Sequence, residues 1–535
     1  MRGFAPTWFA RPRGESASKI VPGFVVGLVA FVVRIFPIAT SGGFPLNDGG
    51  LFYVMARDLQ SNSFVMPATT SYNGGQIPFV YPPLGLYLVA VLHAVLPVRL
   101  LDLFIWLPFI LSMASVAAVF FLARELLPSR FHALVATAAF AVTPVSYLWV
   151  VVGGGVTRGL GLVLGLLAVA WTVKFLRRGR RRDCAAAILA GGLAIMSHPN
   201  AALFTVVAIA LFGLQARSIR RTALVAFGVA AVSAVWWMPV VIRFGPARLV
   251  SAGSLDGPLI GLLEGFYGLL SFATTQEVFL PFVAAAGLLG MLALLHRRSG
   301  FLFAWMAVEL LIDQRVGAMY ALVPLSLAAS YGVADVILPA FVRVTEYGDG
   351  LVPEEIRRSG AVRNGLLAVL CLAMLGGMAF DVSPASLEHA VPAATRDAYQ
   401  WVADHTPADA RFVVITGGPG GNEGNQEWFP ALTSRISETT PQGVEWLGAE
   451  KWRDVSNDNV ALQKCASDTA DCLITWAAAR GHAPDYVFLP KGQLLGPLSP
   501  SDCCTTLRKS LLASADFAVV YDGPGATIAR WVSRP

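Results

Sequence analysis

The feature that most constrains this chain is a succession of long apolar runs, separated by short arginine-rich loops, that ends near residue 380. An apolar run of about twenty residues can cross a bilayer, and an α-helix does so with its backbone hydrogen bonds satisfied internally. Hydrophobic residues make up 55% of the 535 and charged residues 14%, with a mean hydropathy of +0.61. A soluble domain carries about 25% charged residues. Beyond residue 382 the charges return, with seventeen of the 34 acids and twelve of the 40 Lys/Arg. The reading is a polytopic α-helical membrane protein, residues 1–382, followed by a soluble C-terminal α/β domain, residues 383–535, long enough for its own core.

The net charge of +6 sits in the loops of the membrane part, where positive charge marks the inner face. That excludes a nucleic-acid partner. Spans are expected at about 20–39, 103–122, 134–152, 160–173, two short segments hinged at His198-Pro199, 223–242, one ending at Arg297, two hinged at Asp313-Gln314-Arg315, and 365–380. The first is read as a retained helix with a cytoplasmic N-terminus. The run at 81–98 is ambiguous, and charge parity settles it as a surface helix. About eleven spans then leave twenty-one Lys/Arg inside and six outside: Arg57, Arg99, Arg158, Arg243, Arg248 and Arg315. An odd count puts the C-terminal domain outside a plasma membrane, with loops 41–100 and 243–278 on the same side.

In the tail, strand patterns occur at 411–416, 485–490, 517–521 and 526–532, the last two reading as a hairpin across Asp522-Gly523-Pro524-Gly525. Helical stretches are expected at 395–405 and 505–514. Cys465, Cys472, Cys503 and Cys504 fall here with no zinc-site spacing, which favours disulfides, Cys465–Cys472 foremost. The run Gly417-Gly418-Pro419-Gly420-Gly421 lacks the spacing and lysine of a phosphate loop and reads as a flexible substrate-facing loop.

The candidate site begins at Asn47-Asp48-Gly49-Gly50, just past the first span. A carboxylate at a membrane boundary is costly unless it is used or paired. Asp48 reads either as a catalytic base or as an N-terminal cap for a short helix at 50–59; Asn47 can cap too. Tyr53 follows in the same segment and is a candidate substrate contact. Arg158 follows Gly153-Gly154-Gly155 at a helix start, suited either to an anion or to tight helix packing. His198 reads as a polar cap at a proline turn or as a substrate contact. Glu264 and Tyr267, three apart, can share a helix face towards a cavity. Asp58 beside Arg57 reads as a paired surface charge. No carboxylate trio or histidine pair supports a metal, so a divalent cation is left open without assigned ligands.

A first outer loop carrying Asp48, the element Tyr81-Pro82-Pro83-Leu84-Gly85 opening a surface helix, and a span ending Ala123-Arg124-Glu125-Leu126 resemble the GT-C-fold glycosyltransferases. The resemblance is to the protein O-mannosyltransferase and aminoarabinose-transferase group and covers about residues 20–320. It implies a polyprenyl-phosphate sugar donor, transfer at the outer face to a glycan, lipid or protein acceptor, Asp48 as the catalytic carboxylate, and Arg315 as a contact to the lipid phosphate. Tyr81 stands where the mannosyltransferases have a histidine, and Asn47-Asp48 where an Asp-Glu pair is common. The alternatives are a lipid or solute transporter or flippase, which lacks the internal repeat expected of it, and a non-catalytic envelope assembly protein, for which Asp48 is dispensable.

Overall fold

The computed structural model describes residues 21–250, 275–277, 281–312, 317–339, 389–418, 424–491 and 503–532. Its N-terminal part is a helical bundle: α1 (Val21–Thr40), α2 (Gly50–Ser61), α3 (Leu84–Val95), α4 (Leu100–Leu126), α5 (Arg130–Val142), α6 (Leu148–Val151), α7 (Gly155–Arg178), α8 (Arg181–Ile195), α9 (Pro199–Gln215), α10 (Ile219–Phe244), α11 (Ala247–Val250), α12 (Phe282–His296), α13 (Phe301–Ile312) and α14 (Gly317–Tyr331). Among the described residues five helices are long and apolar enough to cross a membrane, or six if one bent pair is a single span. With 12 residues, α3 rises about 18 Å, too little to cross a core of about 30 Å. The expected span at 365–380 lies outside the described residues.

At the span expected at 134–152 the helix is broken, with α5 and the segment Pro144–Val151 meeting at 85°. Pro144 has no N–H to donate, and the residue before a proline is driven extended; Thr143 sits at φ −75°, ψ 125°. The break deprives Ala141 O of its helical donor, and Arg34 of α1 replaces it. Its guanidinium donates to Ala141 O (3.3 Å), Ser146 Oγ (2.8 Å), and Ser112 O (3.1 Å) and Oγ. Fully buried, Arg34 ties α1, α4 and the break together. Elsewhere the bundle closes through small residues, as membrane helices do. A Cβ on Gly290 of α12 would meet Ala328 O of α14 at 1.9 Å.

The C-terminal part holds α15 (Ala393–His405), β1 (Arg411–Val414), α16 (Gly424–Thr433), β2 (Ile436–Ser437), α17 (Ala449–Gln463), α18 (Ala470–Arg480), β3 (Tyr486–Pro490), α19 (Thr505–Ala513), β4 (Phe517–Asp522) and β5 (Ala526–Trp531). The sheet order is β2-β1-β3-β5-β4, parallel through the first three strands and antiparallel through the last. Strand alternation splits its apolar residues between two cores. Val413, Val487, Leu489 and Ala529 pack with Leu473 and Leu507 on one face. Phe412, Val414, Phe488 and Ile528 join Trp428 and Phe429 of α16 on the other, and that core runs without a break into Phe44, Leu46 and Leu51 of the bundle. Cys465 is bonded to Cys472 and Cys503 to Cys504.

Several polar contacts fasten the two parts. Leu46 bridges Ala390, Asn47 N donates to His389 O (2.8 Å), and Trp428 Nε1 donates to Asn47 O (3.1 Å). Asn73, held at φ 47°, exchanges hydrogen bonds with the backbone of Ser437 in β2, through Nδ2 at 2.9 Å and Oδ1 at 2.7 Å. Arg248 Nη1 donates to Trp446 O (2.9 Å).

Candidate active site

Residues 46–49 turn tightly against the start of α7. Gly153 N donates to Leu46 O (2.9 Å), Asn47 adopts φ 51° and Gly49 φ 117°. A Cβ on Gly49 would lie 2.9 Å from the Gly153 backbone, so both the conformation and the approach require glycine there. The turn delivers Asp48 to the N-terminal end of α7. Its Oδ1 accepts from Gly154 N (2.8 Å) and its Oδ2 lies 3.9 Å from Arg158 Nη2. The Asp48 side chain keeps 24% exposure, so it remains reachable.

Two of the three glycines before Arg158, Gly153 and Gly154, lie directly against Asp48. A Cβ on Gly154 would sit 2.6 Å from Asp48 Oδ2, and one on Gly153 2.0 Å from Asp48 O. Arg158 also donates through Nη1 to Trp149 O and lies over the Trp149 ring at 5.6 Å, while its buried Nε has no hydrogen-bond partner among the described residues.

The second carboxylate comes from the far end of the chain. Glu427 Oε1 accepts from Gly49 N (2.9 Å) and Leu51 N (3.1 Å), capping α2 from α16. Tyr72 Oη donates to Glu427 O (2.8 Å). Burial, and then the neighbouring Asp48, push the Glu427 carboxyl well above the usual carboxylate range, against the pull of the two N–H donors. Sequence reasoning missed Glu427. Its signal was faint: an acid set directly against the apolar run Trp428-Phe429-Pro430.

Of the other expected residues, His198 Nδ1 accepts from Asn200 N (3.2 Å), capping α9, and its ring lies 6.1 Å from Tyr81. Tyr81 Oη meets Thr157 Oγ1 at 3.2 Å, and its ring packs on Phe52 (4.6 Å) and Trp446 (5.7 Å). Burial raises its phenol first, and the charges of Arg158, Asp48 and Glu445 also act on it, which brings these groups into one neighbourhood. Tyr53 packs between Phe104 (6.0 Å) and Trp428 (5.9 Å). Asn47 is 2% exposed, and its backbone does the work described above. Asp58 is not paired with Arg57; it accepts from Thr70 Oγ1 (2.6 Å), Ser71 N (2.8 Å) and Ser71 Oγ (2.5 Å), closing the loop after α2. Glu264, Tyr267 and Arg315 lie outside the described residues. Among the described residues no three of His, Cys, Asp and Glu form a ligand set for a metal.

The bundle has solved counterparts. The chain is similar to the archaeal oligosaccharyltransferase AglB from Archaeoglobus fulgidus, solved with an inhibitory peptide and a dolichol-phosphate, at 15% identity and a TM-score of 0.56, over 88% of this chain and 69% of that one. It is similar to ArnT from Cupriavidus metallidurans bound to undecaprenyl phosphate at 14% identity and 0.52, over 96% and 99%. It is similar to the arabinofuranosyltransferase AftD from Mycobacteria at 17% and 0.55, over 95% of this chain and 40% of that one. At these identities the likeness establishes the fold, and the fold is GT-C, that of polytopic membrane glycosyltransferases. The chain belongs to the family described as 6-pyruvoyl-tetrahydropterin synthase related domain, a membrane protein, whose model matches residues 80–380. That match begins past Asp48 and ends before α15. No curated protein sequence matches.

Proposed function

We propose that the chain is a membrane glycosyltransferase that moves a sugar from a polyprenyl phosphate to an acceptor hydroxyl at the outer face of the plasma membrane, with Asp48 as general base. The observation that carries this reading is a reachable carboxylate held by Gly154 N beside Arg158 at the start of α7, in a GT-C fold. The acceptor, a glycan, lipid or protein, gives its hydroxyl proton to Asp48, whose Oδ1 is held by Gly154 N and whose Oδ2 takes the proton. The acceptor oxygen bonds to the anomeric carbon, the bond from that carbon to the phosphate oxygen breaks, and the electron pair stays on the lipid phosphate. That leaving group needs no proton, and Arg158 balances its charge. His198, the Tyr81 ring and Trp446 form the neighbouring wall. Arg315 is proposed as a second cation on the donor phosphate.

Asp48→Asn keeps the hydrogen bond from Gly154 N and removes the base. Sugar transfer from a polyprenyl-phosphate donor is expected to fall by about 10²–10⁴-fold, with membrane insertion unchanged. Full transfer by this variant refutes Asp48 as the base.

A further inference from the structure

Asp48 lies one residue before Gly49, the N-terminal cap of α2, where the free N–H groups of the helix it precedes attract a carboxylate. Here Asp48 does not cap them. Gly49 offers no side-chain cap, and the N–H groups of Gly49 and Leu51 are both taken by Glu427, 378 and 376 residues further on. Asp48 is thereby turned to the other helix, where Gly154 N and Arg158 meet it.

We propose that Glu427 of the C-terminal part is a positioning residue of the transfer site, relieving Asp48 of helix capping so that its carboxylate is presented to the acceptor. The inference rests on the reading of Asp48 as the base. Three further contacts show that the fit is built for this glutamate's segment. Tyr72 Oη holds the Glu427 carbonyl, and Trp428 Nε1 holds Asn47 O. A Cβ on Gly50 would meet Glu427 O at 2.7 Å, so α16 lies against α2 at the distance of a bare backbone. The two N–H groups are directional donors at a helix end, so an acceptor of the same shape without charge can hold them. That separates positioning from proton transfer. Glu427→Gln retains the acceptor oxygen and cannot ionise, whereas Glu427→Ala removes the acceptor.

The test has two readouts on the full chain in detergent. In hydrogen–deuterium exchange, the amides of segment 49–51 are expected to exchange at least about tenfold faster in E427A and to stay protected in E427Q. In sugar transfer, E427A is expected to lose about 10²-fold, the cost of a displacement near 1 Å at a reacting group, and E427Q no more than about fivefold. Should E427A not be recovered from membranes, Glu427→Asp, one methylene too short for Gly49 N, takes its place. Unchanged exchange in E427A overturns the inference. So does an E427Q enzyme as slow as E427A with its amides still protected, which makes Glu427 a proton-transfer group. If exchange responds as expected while Asp48→Asn transfers sugar normally, the reading of Asp48 as the base fails and the clamp on α2 stands as a purely structural one.

Discussion

Gly154→Ala tests the placement of Asp48 with a single methyl group. Gly154 has φ −66° and ψ −8°, a conformation alanine adopts freely, so the backbone carries no penalty. The new Cβ lies 2.6 Å from Asp48 Oδ2, 2.9 Å from Cγ and 3.0 Å from Oδ1. Ordinary contact begins at 3.4 Å, so the carboxylate must retreat by about 0.8 Å. That stretches the 2.8 Å bond from Gly154 N and rotates Oδ2 relative to Arg158. A misplacement near 1 Å at a reacting group costs about 10²-fold in rate, or about 2.7 kcal/mol of transition-state stabilisation. The side chain is partly exposed and able to yield, so global stability is expected to change by less than about 1 kcal/mol. The assay is initial-rate transfer of labelled sugar from a polyprenyl-phosphate donor by purified protein, with the melting temperature measured in parallel. Wild-type transfer by Gly154→Ala refutes the reasoning, because the methyl group cannot be accommodated without moving the carboxylate.

Three other outcomes are expected. Gly50→Ala drives a methyl group against Glu427 O at 2.7 Å, a backbone atom unable to swing away; destabilisation of about 1–3 kcal/mol should appear as a lower melting temperature, and an unchanged one counts against the close approach. Burial and Asp48 push the Glu427 carboxyl up to about 8 from 4.5, with Glu445 raising it further, so the folded state holds a proton that the unfolded chain releases. Its contribution to stability is full below the ordinary carboxylate range, is lost as pH rises through that window and levels off above it; the decline in melting temperature from about pH 5 to about pH 9 should flatten in Glu427→Gln, and an equally steep decline assigns it to other groups. Reporter fusions after residues 182 and 390 should read inside and outside respectively, and an outside signal at 182 inverts the topology that places Asp48.

Apolar run length and loop charge made the membrane bundle legible, because both follow from the bilayer acting as solvent. The strand patterns near 411, 486, 517 and 526 fall on β1, β3, β4 and β5 for the same local reason, period-two burial. The break at Pro144 was hidden because the apolar run continues through it, and only the partner supplied by Arg34 makes the bend affordable. Asp48 stood out from its position in the sequence, but the groups that surround it did not. Glu427 belongs to a helix whose sequence neighbourhood gives no indication of α2. Its meeting with Gly49 is a tertiary event between segments 378 residues apart, and no periodicity encodes that. Asp58 was misread for a related reason. Adjacency to Arg57 suggested an ion pair, whereas the side chain reaches forward to Thr70 and Ser71.

The distance in sequence between the two ends of the Glu427 clamp is also a delay in time. Segment 47–51 leaves the ribosome 376 residues before the glutamate that caps it, an interval of about 20–75 s at ordinary elongation rates of about 5–20 residues per second. Throughout that interval the start of α2 lacks its acceptor, and a nascent or truncated chain carries an Asp48 free to collapse onto its own helix. On the proposed reading, catalytic competence waits until the bundle is inserted and α16 has folded and docked. On that reading, a chain cut short anywhere before residue 427 is a membrane protein whose site lacks its clamp.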